Sequence, residues 1–490
     1  MLLGFEALLT EISGYLWSVP MLIFIAVVAG VYTIASGFLQ VRYVKDMVVH
    51  TFTGKSSESG VSPFQSLVIA LSGRVGTGNI AGVATAIAAG GPGAVFWMWF
   101  IAFFGSAAAF AESTLAQIYK KKVDGEYRGG PAYYAEKGLG WKWYGYIFAV
   151  VAAVSTCLLT PGVQANAIAD SMNNAFGIGP VITGIALVVI TGYVIFGGVR
   201  RIAFLASYVV PIMALFYLIV AAIVIFANIE QVPSTFALIF SSAFGVDSAF
   251  GGMIGAAISW GVKRGLYSNE AGQGTGAQAA AAAEVSHPVK QGLVQSFSVY
   301  IDTLLICTAT ALMILMTGNY SVTDPDGGYI VDYTNGMEAG AGYTQAAVDG
   351  VLGGFGSPFV AISLFLFAFT TLVAYFYIAE TNLFYIVRGK SRKVFSNILK
   401  VLFLAAIFFG TVRSATFTWT LADIGLGLMV WVNLIAVILL YKPTMIALKD
   451  YKAQRKQGLD PIFRPSKVNI ENADYWVERE EEDEKRRKTM

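Results

Sequence analysis

A nine-residue motif occurs twice in this chain and interrupts two otherwise apolar segments. The first copy runs from Arg74 to Gly82 and the second from Arg264 to Gly272, and both fit R-x4-N-x-A-G at an offset of 190 residues. Glycines and polar residues break each segment where a continuous membrane helix would satisfy its own backbone hydrogen bonds. Corresponding broken segments in two halves of a chain are typical of transporters built from repeats. The motif therefore predicts two discontinuous helices and a transporter of a small solute.

The composition indicates a membrane protein. Of the 490 residues, 56% are hydrophobic and 13% are charged, whereas a soluble domain carries about 25% charged residues. At about 20 apolar residues per span, the sequence divides into eleven predicted spans. These spans lie near residues 16–40, 63–90, 93–119, 143–166, 180–197, 203–227, 249–284, 291–317, 358–386, 396–415 and 419–442. We therefore expect an all-α integral membrane protein with about eleven transmembrane helices.

The two interrupted segments are the second and the seventh predicted spans. An offset of five spans means that equivalent helices cross the membrane in opposite directions, which is inverted-topology symmetry. The sequence thus predicts a chain in four parts. They are an extra N-terminal helix with its following loop (1–60), a first five-helix repeat (61–228), a second five-helix repeat that includes a long loop at 319–357 (229–442), and a charged tail (443–490).

Loop charges predict the orientation. Lys120, Lys121 and Lys122 follow the third span, whereas the loop 319–357 contains five acidic residues and no lysine or arginine. The positive-inside rule then places the N-terminus outside the cell and the C-terminus in the cytoplasm. We expect a multi-pass protein of the plasma (inner) membrane. The tail, which is dense in charges of both signs, is expected to be solvated and partly disordered.

A break in a membrane helix exposes backbone groups that can bind ions. The amides at the start of a half-helix carry partial positive charge and suit a carboxylate, whereas free carbonyls suit an ammonium group or a hard cation. In the first break, Thr77 and Gly78 are predicted to present amides to a carboxylate, and Asn79 an oxygen to a cation or an ammonium group. Carbonyls near Ser72 and Val75 face a second cation position. Such a break offers complementary ends to a zwitterion.

The second break is predicted to form the opposite wall of the same site. Trp260 stands upstream of the motif, where we expect it to wall the side-chain pocket. Tyr267, Ser268 and Asn269 are predicted to line that pocket. Two crossed breaks would then enclose a small zwitterion between them.

Polar residues in two further spans are additional candidates. Gln164 follows a Pro-Gly pair in the fourth span, and it is either helix-packing glue or a donor in the pocket. Thr370 and Thr371 interrupt the ninth span. Their hydroxyls either bond back to their own helix or, facing carbonyls of the first break, form a neutral oxygen cage for sodium. The residues alone leave both alternatives open.

Charged residues inside the spans need partners. Each would cost roughly 2.5–3.5 kcal/mol at a helix centre. We expect ion pairs among them, which either lock helices together or act as gates that break and reform. The charged residues within predicted spans are Arg74, Glu112, Lys263, Arg264, Glu270 and Asp302.

Three segments resemble the hallmark motifs of the alanine or glycine:cation symporters, the sodium:alanine symporter family. They are Leu71–Gly82, Gly90–Phe100 and Lys263–Gly276, and the resemblance extends over roughly residues 15–445. It implies the LeuT-like fold of five plus five inverted repeats. It also implies sodium-coupled uptake of alanine or glycine, with sodium as the co-transported ion and no other cofactor.

The resemblance also implies roles for particular residues. Gly76–Asn79 resembles the unwound segment that grips the substrate carboxylate in the LeuT-like fold, with Asn79 holding one sodium ion. Thr370 and Thr371 resemble the hydroxyl pair of its second sodium site. Gln164 stands where that pattern has a tyrosine on its third core helix, so this chain departs from the pattern there.

The sequence also bears on other functions. The first motif also fits the dinucleotide fingerprint G-x-G-x-x-A, but the βαβ unit that this fingerprint requires is missing. The spans offer no Ser/His pair and no H-E-x-x-H motif, so we predict that the chain is not an enzyme, and no basic patch indicates nucleic acid. A channel is the remaining rival, because inverted repeats also occur in channels. A proton carried by Glu270 or Asp302 is the alternative to sodium.

Overall fold

The structure is a computed structural model that describes residues 2–197, 199–247, 249–324 and 327–489. Within these ranges, eight helices are long and apolar enough to cross a membrane, or nine if one bent pair is counted. The eight are Glu6–Ser36, Gly93–Ile118, Lys142–Phe176, Tyr208–Ala227, Pro288–Thr317, Ala341–Ile386, Ser391–Thr411 and Ala415–Leu439, and the bent pair is Pro63–Arg74 with Gly78–Gly90. The all-α membrane architecture is confirmed, while the number of eleven spans stays a prediction.

Shorter elements connect these helices. The helices are Leu39–Arg42, Val44–Phe52, Pro131–Gly138, Pro180–Ile195, Val232–Ala243, Ile254–Asn269, Thr275–Ala281, Tyr441–Lys456, Pro465–Val468 and Asp474–Thr489. Two antiparallel hairpins pair Lys121–Val123 with Glu126–Arg128 and Ser321–Thr323 with Tyr329–Asp332. The second hairpin belongs to the long loop that the sequence analysis placed at 319–357.

The first broken helix consists of Pro63–Arg74 and Gly78–Gly90, which are bent by 55° relative to each other. Its first half ends at Arg74 because Val75 leaves the helical region (φ −76°, ψ 90°). The second half begins with a π-helical turn, a form that occurs often at functional sites. The predicted interruption is therefore confirmed.

The second broken helix consists of Ile254–Asn269 and Thr275–Ala281. Its break starts at Glu270, because the residues from Arg264 to Asn269 are helical, and the sequence analysis placed the interruption too early. One glycine in a helix costs only about 1 kcal/mol, so Gly265 does not end the helix. The chain leaves the helix where Glu270, Gly272 and Gly274 adopt positive φ (54°, 83° and 82°), a conformation that glycine adopts readily.

The two broken helices contact each other at their breaks and at one end. A Cβ added to Gly78 would lie 3.0 Å from the Ser268 Cα, so this approach requires a glycine. Just before the first broken helix begins at Pro63, the Val61 N–H donates to the Ala282 carbonyl at 3.0 Å. Small residues at such crossings let membrane helices approach closely. The breaks therefore face one another in the interior of the protein.

The charged tail is folded against the protein, and the prediction of a solvated, partly disordered tail is wrong. Its last helix, Asp474–Thr489, inserts Trp476, which is 1% exposed and donates from Nε1 to the Gln117 carbonyl at 2.8 Å. Arg479 pairs with Glu284 at 2.8 Å. Burial of the Trp476 side chain holds the tail against the protein, although the charge density of the segment suggested disorder. We refer to the side of the molecule on which this helix packs as the tail side.

The Trp476→Ala substitution is expected to release this helix. Replacing a buried tryptophan with alanine costs about 3–5 kcal/mol, which exceeds what the surface ion pairs can restore. Limited proteolysis of the purified protein should then cleave the tail at least tenfold faster than in the wild type. Val477→Ala, at a neighbouring position that is 43% exposed, is the matched control and should be cleaved at the wild-type rate. Equal cleavage of both variants would contradict the packing described here.

Candidate substrate and sodium site

The first break and the last helical turn before the second break meet at a buried polar cluster around Asp302. Asn79 Nδ2 donates to Asp302 Oδ1 at 2.7 Å, and the hydroxyls of Ser268 and Thr303 donate to Oδ2 at 2.8 and 2.7 Å. All four side chains are 0% exposed. The described part of the chain places no cationic side chain in an ion pair with this carboxylate. A buried carboxylate that has only neutral partners favours the binding of a cation.

Asp302 is the site residue that the sequence analysis missed. It was counted among the buried charges and proton carriers but not among the residues of the substrate and sodium site. It lies in a π-helical turn, Tyr300–Cys307, within the helix Pro288–Thr317. An acidic residue in an apolar span was the available signal, but sequence alone could not place it against Asn79 and Ser268.

Gln164 closes the first break from a neighbouring helix. The Thr77 N–H and hydroxyl both donate to Gln164 Oε1, at 3.0 and 2.7 Å, and Gln164 Nε2 donates to the Tyr267 hydroxyl at 3.2 Å. An amide oxygen thus occupies the position in which a carboxylate would accept from the freed N–H. Both alternatives for Gln164, a donor in the pocket and helix-packing glue, stay predictions.

Oxygen atoms of the ninth predicted span converge on the first break. The Thr371 hydroxyl lies 3.5 Å from the Val75 carbonyl, and the hydroxyls of Thr370 and Thr371 lie 2.9 and 3.1 Å from the Phe367 carbonyl. Both threonines therefore bond back to their own helix, and Thr371 also faces the break. The Ser72 hydroxyl bonds back to its own helix at 2.7 Å, which leaves its carbonyl as the available oxygen. The Phe367 carbonyl was not predicted, because any residue type can supply a backbone oxygen.

Two predicted residues lie apart from this cluster. Trp260 precedes Ser268 by eight residues, about 12 Å along a helix, and it packs beside Lys263 and Arg264. Trp419 instead contacts Tyr267, with ring centroids 4.7 Å apart. Asn269 Oδ1 accepts the Ala271 N–H at 3.0 Å and caps the break, whereas its buried Nδ2 has no hydrogen-bond partner among the described residues.

A charge cluster closes the site on the side opposite the tail. Asp423 pairs with Lys263 Nζ at 2.5 Å and with Arg264 Nη1 at 3.0 Å. The Arg264 guanidinium lies 3.9 Å from the centroid of the Trp419 ring. We expected Arg264 to pair with Glu112, Glu270 or Asp302, and that expectation is wrong. The partner is an acidic residue of the last predicted span that the sequence analysis did not count.

Cavities approach the cluster from both sides without reaching it. A cavity of about 790 Å³ opens on the tail side and is lined by Ile69 and Tyr377 at its inner end. A cavity of about 290 Å³ on the opposite side reaches Ala81 and Trp419. The residues around Asp302 are fully buried between the two cavities, so the central cluster is closed to solvent on both sides.

Comparison with known proteins identifies the family. The sodium:alanine symporter family matches residues 3–465, which is nearly the whole chain. The chain belongs to the sodium:alanine symporter family. This confirms the resemblance drawn from the three motifs and the prediction that the chain is a transporter rather than an enzyme.

Relatives and a solved structure support the family and the fold. The chain is 61% identical over 466 residues to the putative sodium/proton-dependent alanine carrier protein YrbD of Bacillus subtilis, covering 95% of this chain and 96% of that protein. It is 48% identical to the probable sodium/glutamine symporter GlnT of the same organism, covering 92% and 91%. The crystal structure of MhsT in complex with L-phenylalanine aligns with a TM-score of 0.55 at 14% identity, covering 80% of this chain and 98% of that chain. The last similarity concerns the fold alone, and it confirms the LeuT-like architecture of the sodium:alanine symporters for this chain.

Proposed function

We propose that the protein imports a small neutral amino acid, alanine or glycine, in symport with sodium. The observation that carries this proposal is the pairing of opposite polarities at the first break. A freed backbone N–H at Thr77 points to an acceptor on Gln164, and the Asp302 carboxylate lies beside Asn79 in the same sealed interior. These polarities match the carboxylate and the ammonium group of an amino acid.

In this proposal the substrate replaces contacts that the protein now makes with itself. The amino-acid carboxylate displaces Gln164 Oε1 and accepts from the amides of Thr77 and Gly78. The ammonium group donates towards Asp302 and Asn79, which supply the negative charge and the oxygen that it lacks inside the membrane. Exchange of an internal hydrogen bond for a substrate hydrogen bond keeps the backbone satisfied in both states.

The packing at the breaks supports a small substrate. A Cβ on Gly78 would lie 3.0 Å from the Ser268 backbone and 3.1 Å from the Tyr267 ring, so the two breaks are already in close contact there. Alanine and glycine require the least additional space among zwitterionic amino acids. Glutamine is the competing substrate to test, because GlnT is described as a probable sodium/glutamine symporter.

Sodium is proposed to bind in two places. Neutral oxygens suit a hard cation, and the carbonyls of Ser72, Val75 and Phe367 with the hydroxyls of Thr370 and Thr371 supply one such set. Asn79 with Asp302 supplies the other, next to the substrate. The oxygens of the first set come from the first broken helix and from the ninth span. They are correctly spaced for sodium only when these two elements pack together, so sodium binding is coupled to that packing.

The transport cycle is proposed to be alternating access in a plasma (inner) membrane. The loop charges support a tail in the cytoplasm and an N-terminus outside, with repeats at 61–228 and 229–442 that rock against each other. Opening of the Asp423 cluster exposes the site to the outside, and separation at Ile69 and Tyr377 opens it to the cytoplasm. An inside-negative potential contributes about 2.3 kcal/mol per carried charge per 100 mV.

Uptake by purified protein in liposomes tests the function. Labelled alanine should accumulate when an inward sodium gradient is imposed at constant pH, and faster when the interior is negative. Replacement of sodium by choline should abolish accumulation, and uptake should saturate with alanine concentration. Alanine uptake that ignores sodium would contradict the symport, and non-saturating flux would favour a channel. Competition by glycine and by glutamine defines the side-chain limit.

The Thr371→Ala substitution tests the first sodium position. Loss of one hydroxyl ligand out of five oxygens is expected to raise the sodium concentration for half-maximal uptake about tenfold, since about 1.4 kcal/mol corresponds to a tenfold change in affinity. Thr317→Ala is the matched control, because its hydroxyl also bonds back to its own helix, at 2.8 Å, but at the end of a different span. An unchanged sodium curve for Thr371→Ala would remove this residue from the site.

A further inference from the structure

We propose a third transported-cation site at Glu270, between the central cluster and the tail-side cavity, that takes a monovalent cation, either sodium or a proton. The proposal rests on the symport function, because the ion it takes is one that the transporter moves. It adds a binding position on the release side of the two sodium positions described above. Four observations on the described residues support it.

The first observation is an unpaired carboxylate oxygen. Glu270 is 2% exposed, and its Oε2 accepts a hydrogen bond from the Thr275 hydroxyl at 2.8 Å. Its Oε1 has no hydrogen-bond partner in the described part of the chain. The Tyr375 hydroxyl is a second hydrogen-bond partner of this carboxyl group. A buried carboxylate whose partners are only neutral hydroxyls is unfavourable in the membrane interior. A bound cation would remove this penalty.

The second observation is a group of acidic side chains around a single cation. Glu112, Glu270 and Asp302 surround Arg74, so the ionised form of all three carboxyl groups has three negative charges against one positive charge, a net charge of −2. Arg74 does not neutralise Glu270 directly. Its guanidinium donates to acceptors on the helix Pro288–Thr317, and among the described residues it forms no ion pair within 4 Å. Two additional positive charges, one at Asp302 and one at Glu270, balance the group.

The third observation is space of the right size. A cavity of about 10 Å³ lies against Glu270 and Thr275 and is bounded by Gly73 and Ala374. That volume holds about one water molecule. It therefore accommodates a dehydrated sodium ion, or the proton of a protonated Glu270 carboxyl group. A Cβ on Gly73 would lie 3.2 Å from Glu270 Oε2, so the glycine lets the carboxylate approach the first broken helix. Tyr375 and Asp302 are the further titratable groups that face Glu270.

The fourth observation is the position of this cavity on a route. Ile69 and Tyr377 line both the small cavity at Glu270 and the large tail-side cavity. Gly73 follows Ser72, a proposed sodium ligand, by one residue. A cation that leaves the central site towards the tail side therefore meets the Glu270 carboxylate before it reaches water. We infer that Glu270 holds the cation while the two broken helices separate.

Equilibrium binding of radioactive sodium to purified protein tests the proposal, with Glu270→Gln, Thr371→Ala and the double variant. Glu270→Gln keeps the size of the side chain and removes its charge. If the cation is sodium, Glu270→Gln binds one sodium ion fewer than the wild type at saturation, Thr371→Ala binds the wild-type number with weaker affinity, and the double variant shows both defects. Glu58→Gln is the matched control, because this glutamate is exposed at the rim of the tail-side cavity, and it should bind as the wild type does.

A second arm distinguishes a proton from sodium. With sodium at equal concentration on both sides of the liposome membrane, an inward proton gradient should drive alanine uptake by the wild type and not by Glu270→Gln if the cation is a proton. The proposal is overturned if Glu270→Gln binds as many sodium ions as the wild type and also takes up alanine at the wild-type rate under the proton gradient. If Glu270→Gln does not fold, Glu270→Asp replaces it, and a sodium affinity or pH-driven rate changed at least threefold supports the site, whereas unchanged values overturn it. Absence of cation-driven uptake in the wild type would instead refute the symport function itself.

Discussion

The Asn79→Ala substitution is expected to lower sodium-driven alanine uptake by at least about 100-fold, equivalent to about 2.7 kcal/mol, while the protein still inserts and folds. The Asn79 side chain holds both parts of the site together. Its Oδ1 accepts the freed Gly76 N–H at 2.8 Å, and its Nδ2 donates to Asp302 at 2.7 Å. Truncation leaves the buried Gly76 N–H and the buried Asp302 Oδ1 without these partners, at about 1–3 kcal/mol each. It also removes the oxygen proposed for sodium.

The measurement is the initial rate of labelled alanine uptake per folded protein in liposomes. Asn228→Ala is the matched control, because its Nδ2 donates to the Val224 carbonyl at 2.9 Å near the end of a different helix, far from both breaks in the chain. The control should transport at close to the wild-type rate. An Asn79→Ala protein that also keeps the wild-type rate and sodium dependence would exclude Asn79 from the site.

The Gly76→Ala substitution is expected to abolish transport for a steric reason. A Cβ at Gly76 would overlap the Thr371 hydroxyl and lie 3.1 Å from Gln164 Oε1. The added methyl group therefore separates the first break from the two elements proposed to complete the sodium and carboxylate positions. Overpacking of this kind costs about 1–3 kcal/mol of stability, so a folded protein with little sodium binding is the expected product.

Sodium binding and alanine uptake are measured on the same preparation. Gly30→Ala is the control, since a Cβ there meets nothing within 4 Å and alanine is favoured over glycine inside a helix. The control should keep its transport rate and gain slightly in thermal stability. If Gly76→Ala binds sodium as tightly as the wild type, the contact between the first break and Thr371 does not form the sodium position.

Much of the architecture could be predicted because membrane helices leave strong signals in a sequence. Polar and glycine-rich interruptions stand out within apolar segments, and the recurrence of R-x4-N-x-A-G identified both broken helices. The exact start of the second break at Glu270 could not be predicted, because it depends on where the chain first adopts positive φ. The packed tail could not be predicted from charge either, because one aromatic side chain, Trp476, fixes the last helix.

The candidate site was partly predictable for a similar reason. Thr77, Asn79 and Ser268 were identified because each is polar and lies in or beside a predicted break, and the structure brings them together. Asp302 was not identified as a site residue, since its contact with Asn79 joins helices more than 200 positions apart in the chain. Trp260 was predicted to wall the pocket from its position upstream of the motif, but the structure packs it beside Arg264, whereas Trp419 contacts Tyr267. The polarity of a residue was therefore a better guide to the candidate site than its distance along the chain from a break.

Simultaneous measurement of radioactive sodium influx and labelled alanine influx in the same liposomes, at clamped pH and membrane potential, tests the central claim most directly. We predict that the two influxes occur in a fixed ratio, that both saturate, and that each stops when the other solute is omitted. Alanine influx that continues at an undiminished rate without sodium influx would contradict the account.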